Sequence, residues 1–252
     1  MRELSLFSGA GGGLLGTKLL GFKHIGYVEY NDYCQRVIAQ RIKDGILDEA
    51  PIFGDIRTFI SEGFAGAYKD LVDILTAGFP CQPFSQSGKQ LAEEDPRNMW
   101  PSTIQTIKKV CPRFILLENV VGLLDTGYIF TVIADLFEAN YDISPPIKIG
   151  ANFVDGNIIR ERIFILAEPS CFGLEKCVPE IRSNHKFNDR KANPLDFNSA
   201  KKIIRNGLRW PTEGGIFGVA DGLAHWMDRI KASGNGQYPK VVETVWRLMG
   251  PQ

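Results

Sequence analysis

The sequence predicts an α/β domain built on a mostly parallel sheet with helices on both faces. Short apolar runs alternate with amphipathic stretches from residue 3 to residue 168, the order that strand–helix–strand crossovers produce. Each run ends in a glycine turn or a polar cluster, the punctuation expected at strand ends. At 252 residues, 44% hydrophobic and 23% charged, the chain is long enough to bury one full core and carry a small attachment.

ELSLF (3–7) opens as a strand, followed by a glycine turn and a helix over roughly 12–20. HIGYVE (24–29) is the second strand, and the spacing of Val37, Ile38 and Ile42 predicts a helix over 31–43. A short strand at PIFG (51–54) precedes Asp55, and LVDILTA (71–77) is the fourth. NMWPSTIQTIKKV has helical spacing, interrupted near its start by Pro101, and leads to RFILLE (113–118), the fifth. A helix around 127–139, late strands in DISPPIKIGANFV and at RIFILAE (162–168), and a final amphipathic helix in YPKVVETVWRLM complete the reading.

Composition excludes several classes. No apolar run reaches the roughly 20 residues of a membrane span, and the first residues lack a signal-peptide layout. Five cysteines without a CxxC pair argue against a disulfide framework or a metal site and for a reducing cytoplasm. Net charge is zero, but residues 170–209 hold nine Lys/Arg against four Asp/Glu. That +5 segment suits a polyanion-binding attachment or a solvated loop.

In such folds ligands gather at the carboxyl ends of the strands. There the chain places FSGAGGG (7–13), EYND (29–32), Asp55, PCQ (80–82) and ENV (118–120). The glycines allow a sharp turn and close approach to a ligand. GGGLLG (11–16) fits GxGxxG literally, but starts late after Phe7 and is weak support for a dinucleotide. Glu29 suits ribose hydroxyls and Asp55 an exocyclic amine, so the pocket fits an adenosine in a dinucleotide or in S-adenosylmethionine. Cys81, on a turn between two prolines, is a candidate nucleophile. Glu118 closes an apolar strand, where burial would keep a proton available for donation. Arg160 and Arg162 alternate and so share one strand face. Hydride transfer has no use for the thiol, which favours S-adenosylmethionine.

Taken together, FSGAGG, GFPCQPFS, RNMWP (97–101), ENV, RERIF (160–164) and GNGQYP (234–239) resemble the motifs of the cytosine-C5 DNA methyltransferase family. The resemblance implies a Rossmann-like S-adenosylmethionine-dependent methyltransferase fold. Residues 1–168, completed by a C-terminal helix in 231–252, would form the catalytic domain, and 169–230 a small basic target-recognition region. Cys81 would attack C6 of a cytosine flipped from the duplex, Glu118 would protonate N3, and Arg160 and Arg162 would hold the base near O2. Phe7, Ser8, Gly9, Gly11, Glu29 and Tyr30 would surround S-adenosylmethionine, with Asp55, Ile56, Pro80, Trp100 and Asn235. Gln82, Ser85 and Gln86, on the loop after the nucleophile, and Lys186, Arg190 and Lys191 would touch DNA.

The resemblance further implies a cytoplasmic monomer without metal or membrane, acting on double-stranded DNA in phage protection or beside a cognate restriction endonuclease. Two features depart from the family. Asp155, Gly156, Asn157 and Ile158 replace its Gly-Val-Pro-Gln run, and the recognition region is short, resembling phage and prophage members. A tRNA-directed branch of the family is the nearest alternative, with CFG (171–173) a slight echo of its Cys-Phe-Thr signature. A non-catalytic DNA-binding relative and, from GGGLLG alone, a dehydrogenase are the others.

Overall fold

The computed structural model describes residues 1–80, 98–154, 160–170 and 236–251. Strands β1 (Arg2–Leu6), β2 (Lys23–Val28), β3 (Ile52–Phe53), β4 (Ile74–Ala77), β5 (Phe114–Val120), β6 (Tyr141–Ile143), β7 (Ile147–Gly150) and β8 (Glu161–Pro169) form one sheet. Its order is β3-β2-β1-β4-β5-β8-β6, with β7 also paired to β8. The pairs from β3 through β5 are parallel, whereas β8 runs antiparallel to β5, β6 and β7. The crossover after β5 leaves a gap of one strand, and β8 returns to fill it.

The helices are α1 (Gly12–Leu19), α2 (Asp32–Lys43), α3 (Ile56–Ser61), α4 (Phe64–Ala67), α5 (Trp100–Val110), α6 (Gly122–Asp125), α7 (Ile129–Glu138) and α8 (Pro239–Met249). Strand alternation sorts them onto two faces. Leu4, Leu6, Leu75, Ala77, Ile115, Leu117, Ile163 and Ile165 pack with α3, α4, α5 and α7. Ile74, Phe114, Leu116, Phe164 and Leu166 face the opposite way, against Val241, Val242, Val245 and Trp246 of α8. Each buried aliphatic or aromatic side chain contributes roughly 1.5–3 kcal/mol when taken from water, and Val241, Val242, Val245 and Trp246 anchor α8 to the sheet in this way.

Pro101 does not interrupt α5. It sits in the first turn, with Met99 as N-cap, where its missing N–H has no helical partner to lose. The short α3 and α4 escape the periodicity because four to six residues cannot establish a 3.6-residue repeat. The largest correction concerns β5, which runs on to Val120. Glu118 and Asn119 therefore lie within the ladder, opposite Phe164 and Ile163 of β8, and Glu118 is not the strand's last residue.

The α1 face of β1 is polar and buried. Thr76 Oγ1 donates to Glu3 Oε1 at 2.6 Å, and Glu3 Oε2 lies 3.4 Å from His24 Nε2. The backbone N–H of His24 donates to Asp48, which also pairs with Lys18 at 2.7 Å. Burying polar groups is costly unless they are partnered; this row satisfies Glu3 Oε1 through Thr76, while Glu3 Oε2 and His24 Nδ1 have close polar neighbours but no aligned hydrogen bond.

Candidate active site

The sheet reverses its strand order at β1 and β4, and a crevice opens beyond the carboxyl ends at such a switch point. The turn leaving β1 is bent by left-handed backbone at Phe7 (φ 54°), Gly9 (φ 55°) and Gly11 (φ 83°). For Phe7 that conformation costs about 1–2 kcal/mol, a strain typical of ligand-binding turns. Ser8 Oγ donates to the Ser5 carbonyl at 3.1 Å. Glu29 fixes the turn from β2: its carboxylate accepts from the Gly9 N–H at 2.6 Å and the Asn31 N–H at 2.7 Å. Burial pushes the Glu29 carboxyl above its ordinary range, and those two backbone N–H groups oppose the shift. Nothing stands within 4 Å of where a Gly9 side chain would project, so the turn offers open backbone between two acids, Glu29 and Glu118.

Asp55 ends the β3 segment as N-cap of α3, accepting from the Arg57 N–H at 2.8 Å and pairing with the Arg57 guanidinium at 2.9 Å. That hydrogen-bonded pairing holds its carboxyl below the usual range. Ile56 begins α3 with its side chain buried, while Tyr30 is exposed. Trp100 packs inward at the start of α5. It is 1% exposed, stacked near Phe79 with ring centroids 5.1 Å apart, and its indole N–H donates to Asp135 at 2.6 Å. Its side chain belongs to the core under β4 because both its ring and its one polar atom are already satisfied there.

Glu118 is the centre of the site. It is 8% exposed, and Arg162 Nε lies 2.8 Å from its Oε1, diagonally across the β5–β8 pair. The approach is that of an ion pair rather than an aligned hydrogen bond. Gln237 Nε2 donates to the other oxygen, Oε2, at 3.4 Å. Burial pushes the Glu118 carboxyl above the ordinary range; Arg162, Arg160 and Gln237 pull the other way without reversing it. Arg160, half-buried, is drawn down by burial and by Arg162, and held up by Glu118. Glu161, the acid between these arginines in sequence, pairs with Lys148 at 3.2 Å. Ser8, Gly9, Gly13, Gly78, Glu118 and Gln237 line one cavity with Phe7.

Two residues in this site lie within motifs but are given no role by the sequence reading. Asn119 Nδ2 donates to the Phe79 carbonyl at 3.0 Å and its Oδ1 accepts from the Val120 N–H at 2.8 Å. It ties the end of β5 to the end of β4 one residue before Pro80. Asn119→Ala is expected to lower stability by about 1–3 kcal/mol, the cost of stranding a buried carbonyl, as measured by urea denaturation. Gln237 lies in GNGQYP, but its contact with Glu118 spans 119 residues and no local pattern carries it. Cys81, Gln82, Ser85, Gln86, Lys186, Arg190, Lys191 and Asn235 lie outside the described residues, as does nearly all of 169–230. Among the described residues no group of three or more His, Cys, Asp or Glu is placed to hold a metal, and no helix is long and apolar enough to cross a membrane.

The sheet order, the antiparallel strand inserted beside β5 and the cavity at the switch point define a Rossmann-like methyltransferase fold. A DNA modification methyltransferase encoded within an Escherichia coli prophage superposes with a TM-score of 0.53 at 26% identity, over 67% of this chain and 47% of that one. A Spodoptera frugiperda DNMT2 gives the same TM-score at 22% identity, over 78% and 56%, a likeness of fold. The model of the C-5 cytosine-specific DNA methylases matches residues 1–212, and the chain belongs to that family. Type II methyltransferase M.NgoMIV of Neisseria gonorrhoeae is 39% identical over 127 residues, 50% of this chain and 38% of that protein. Orphan methyltransferase M.Rho11sI of Bacillus phage rho11s is 30% identical over 224 residues, 83% and 43%. The chain thus spans 38% and 43% of these two relatives' lengths.

Proposed function

We propose that this chain transfers a methyl group from S-adenosylmethionine to C5 of a cytosine flipped out of duplex DNA. The carrying observation is Glu118: a buried carboxyl, biased towards its protonated form, beside two arginines at the end of β5. A carboxyl so biased can give a proton to a ring nitrogen at neutral pH, which an exposed glutamate does rarely. The strand β4 leads through Phe79 and Pro80, held by Asn119, into Cys81, so the thiol follows directly from the edge that carries Glu118.

The residues fit the cofactor: an open glycine turn at Gly9, an acid at the end of β2 for ribose hydroxyls, and the β3–α3 junction at Asp55 and Ile56. When bound there, the cofactor supplies an electrophilic methyl. Phe7, Ser8, Gly9, Gly11, Glu29, Tyr30 and Pro80 complete the proposed binding set, with Asn235. The Cys81 thiolate adds to C6 while Glu118 gives its proton to N3, so the ring stays neutral and C5 becomes enamine-like. Arg160 and Arg162 hold the base at O2. Methylation at C5 is followed by loss of the C5 proton to solvent, expulsion of the thiolate and return of the N3 proton to the Glu118 carboxylate, which leaves a neutral, aromatic 5-methylcytosine.

The test is a covalent trap. Duplex DNA carrying 5-fluorocytosine is incubated with the protein and S-adenosylmethionine and resolved on a denaturing gel. Fluorine cannot leave as a proton does, so a stable protein–DNA band is expected, absent for Cys81→Ser. A band with tRNA and none with DNA would transfer the proposal to RNA; no band with either would remove it. The Type II name of M.NgoMIV supports a restriction–modification setting with a cognate endonuclease, and the orphan name of the phage relative supports protection of phage DNA without one.

A further inference from the structure

Gln237 reaches Glu118 through a passage made by three glycines. Its backbone carbonyl occupies the position from which a Gly12 side chain would grow, and its amide oxygen that of a Gly13 side chain. At Gly78, on the other wall, a Cβ would stand 3.0 Å from Gln237 Nε2 and 3.1 Å from Glu118 Oε2. The glutamine therefore threads between the turn that starts α1 and the end of β4 to meet the carboxyl over Gly78. Any side chain on either wall would close that route.

We propose that Gln237 is a positioning residue for Glu118, donating to Oε2 and holding it as the oxygen that gives up and regains the proton. The idea rests on Glu118 being the proton donor of the reaction proposed above. Arg162 sits against Oε1 at 2.8 Å, and a guanidinium, which only donates, favours the ionised oxygen it faces. That leaves Oε2 to bear the proton. A carboxylate oxygen only accepts, whereas a carboxylic O–H donates. As oriented here the Gln237 amide nitrogen donates to Oε2 at 3.4 Å, which supports the ionised carboxylate. A side chain that cannot donate withdraws that support, and one that carries a positive charge increases it. The proton passes from Oε2 to the base and returns to Oε2, while Gln237 holds that oxygen in place without taking the proton.

The experiment is a carbon-13 titration of glutamate-labelled full-length protein, with the Glu118 carboxyl assigned by its disappearance in Glu118→Gln. Gln237→Met keeps the length of the chain but removes the donor, and the Glu118 midpoint is expected to rise by about one pH unit. Gln237→Lys introduces a cation and is expected to lower it. Both variants are checked for native near-UV dichroism. Midpoints that stay at the wild-type position in both overturn the proposal. Should Gln237→Met not fold, Gln237→Glu preserves the shape, and a second carboxyl at that place must raise the midpoint; an unmoved midpoint there overturns it equally. The titration reads no methyl transfer, so a chain inactive on DNA but with shifted midpoints fails only the functional reading. An active chain with unmoved midpoints fails only this one.

Discussion

Glu118→Gln is expected to lower covalent trapping and methyl transfer by about 10²–10⁴-fold, the usual worth of a positioned general acid. Glutamine has nearly the same shape, and its carbonyl can still face Arg162 Nε, 2.8 Å away in the wild type. What it lacks is a transferable proton. The wild-type rate should fall as pH rises through the raised pKa of Glu118, and the residual rate of the variant should lack that limb. Stability carries the same signature with a definite sign. Burial makes the folded carboxyl hold its proton more tightly than the unfolded one, whose value is about 4.3. The folded state's advantage is complete below that value and is lost as pH rises through the raised folded pKa. The variant has no such group. Urea denaturation of both proteins across that window should show wild-type stability falling relative to Glu118→Gln as pH increases. Parallel curves would mean that the carboxyl ionises in place without penalty, and the account of its burial would be wrong.

How much of this could be seen in the sequence depends on distance along the chain. β1, α1, β2 and α2 are legible because their periodicities and caps are local: Asn31 accepts from the Cys34 N–H at 3.0 Å, three residues on. The strand-end clusters could be collected on one sheet edge because parallel strands point their carboxyl ends the same way. The antiparallel return of β8 fixes the Glu118–Arg162 pair, and that depends on a pairing register between distant segments that no local pattern carries. Trp100, assigned to the cofactor by resemblance alone, shows the same dependence on distance: Asp135 accepts from its indole N–H and Phe79 packs against its ring, contacts that no local pattern carries. Gln237 is the extreme case, since its neighbours come from three separate segments. GGGLLG, which suggested a dinucleotide turn, turns out to be spaced for two close approaches: Gly12 and Gly13 against Gln237, and Gly16 against α8.

Gly16→Ala is accordingly expected to destabilise the protein by about 1–3 kcal/mol, although helix propensity alone argues for a gain of about 0.5–1 kcal/mol. The deciding quantity is space. A Cβ on Gly16 would collide with the carbonyl oxygen of Pro239 and come within 2.8 Å of Val242 Cβ. The first of these is backbone in the opening turn of α8 and cannot swing aside. Gly66 is the internal control: it lies within α4 and a Cβ there meets nothing within 4 Å. Gly66→Ala should therefore show the propensity gain that Gly16→Ala forfeits, and urea midpoints for the two variants should move in opposite directions. The consequence reaches the site as well. Gln237 directly precedes the N-cap of α8, so a displaced α8 draws the amide away from Glu118. Gly16→Ala should shift the Glu118 titration in the same sense as Gln237→Met, whereas Gly66→Ala leaves it in place. If Gly16→Ala destabilises the fold while the Glu118 midpoint is unchanged, the packing of α1 on α8 is structural alone and carries no influence to the carboxyl.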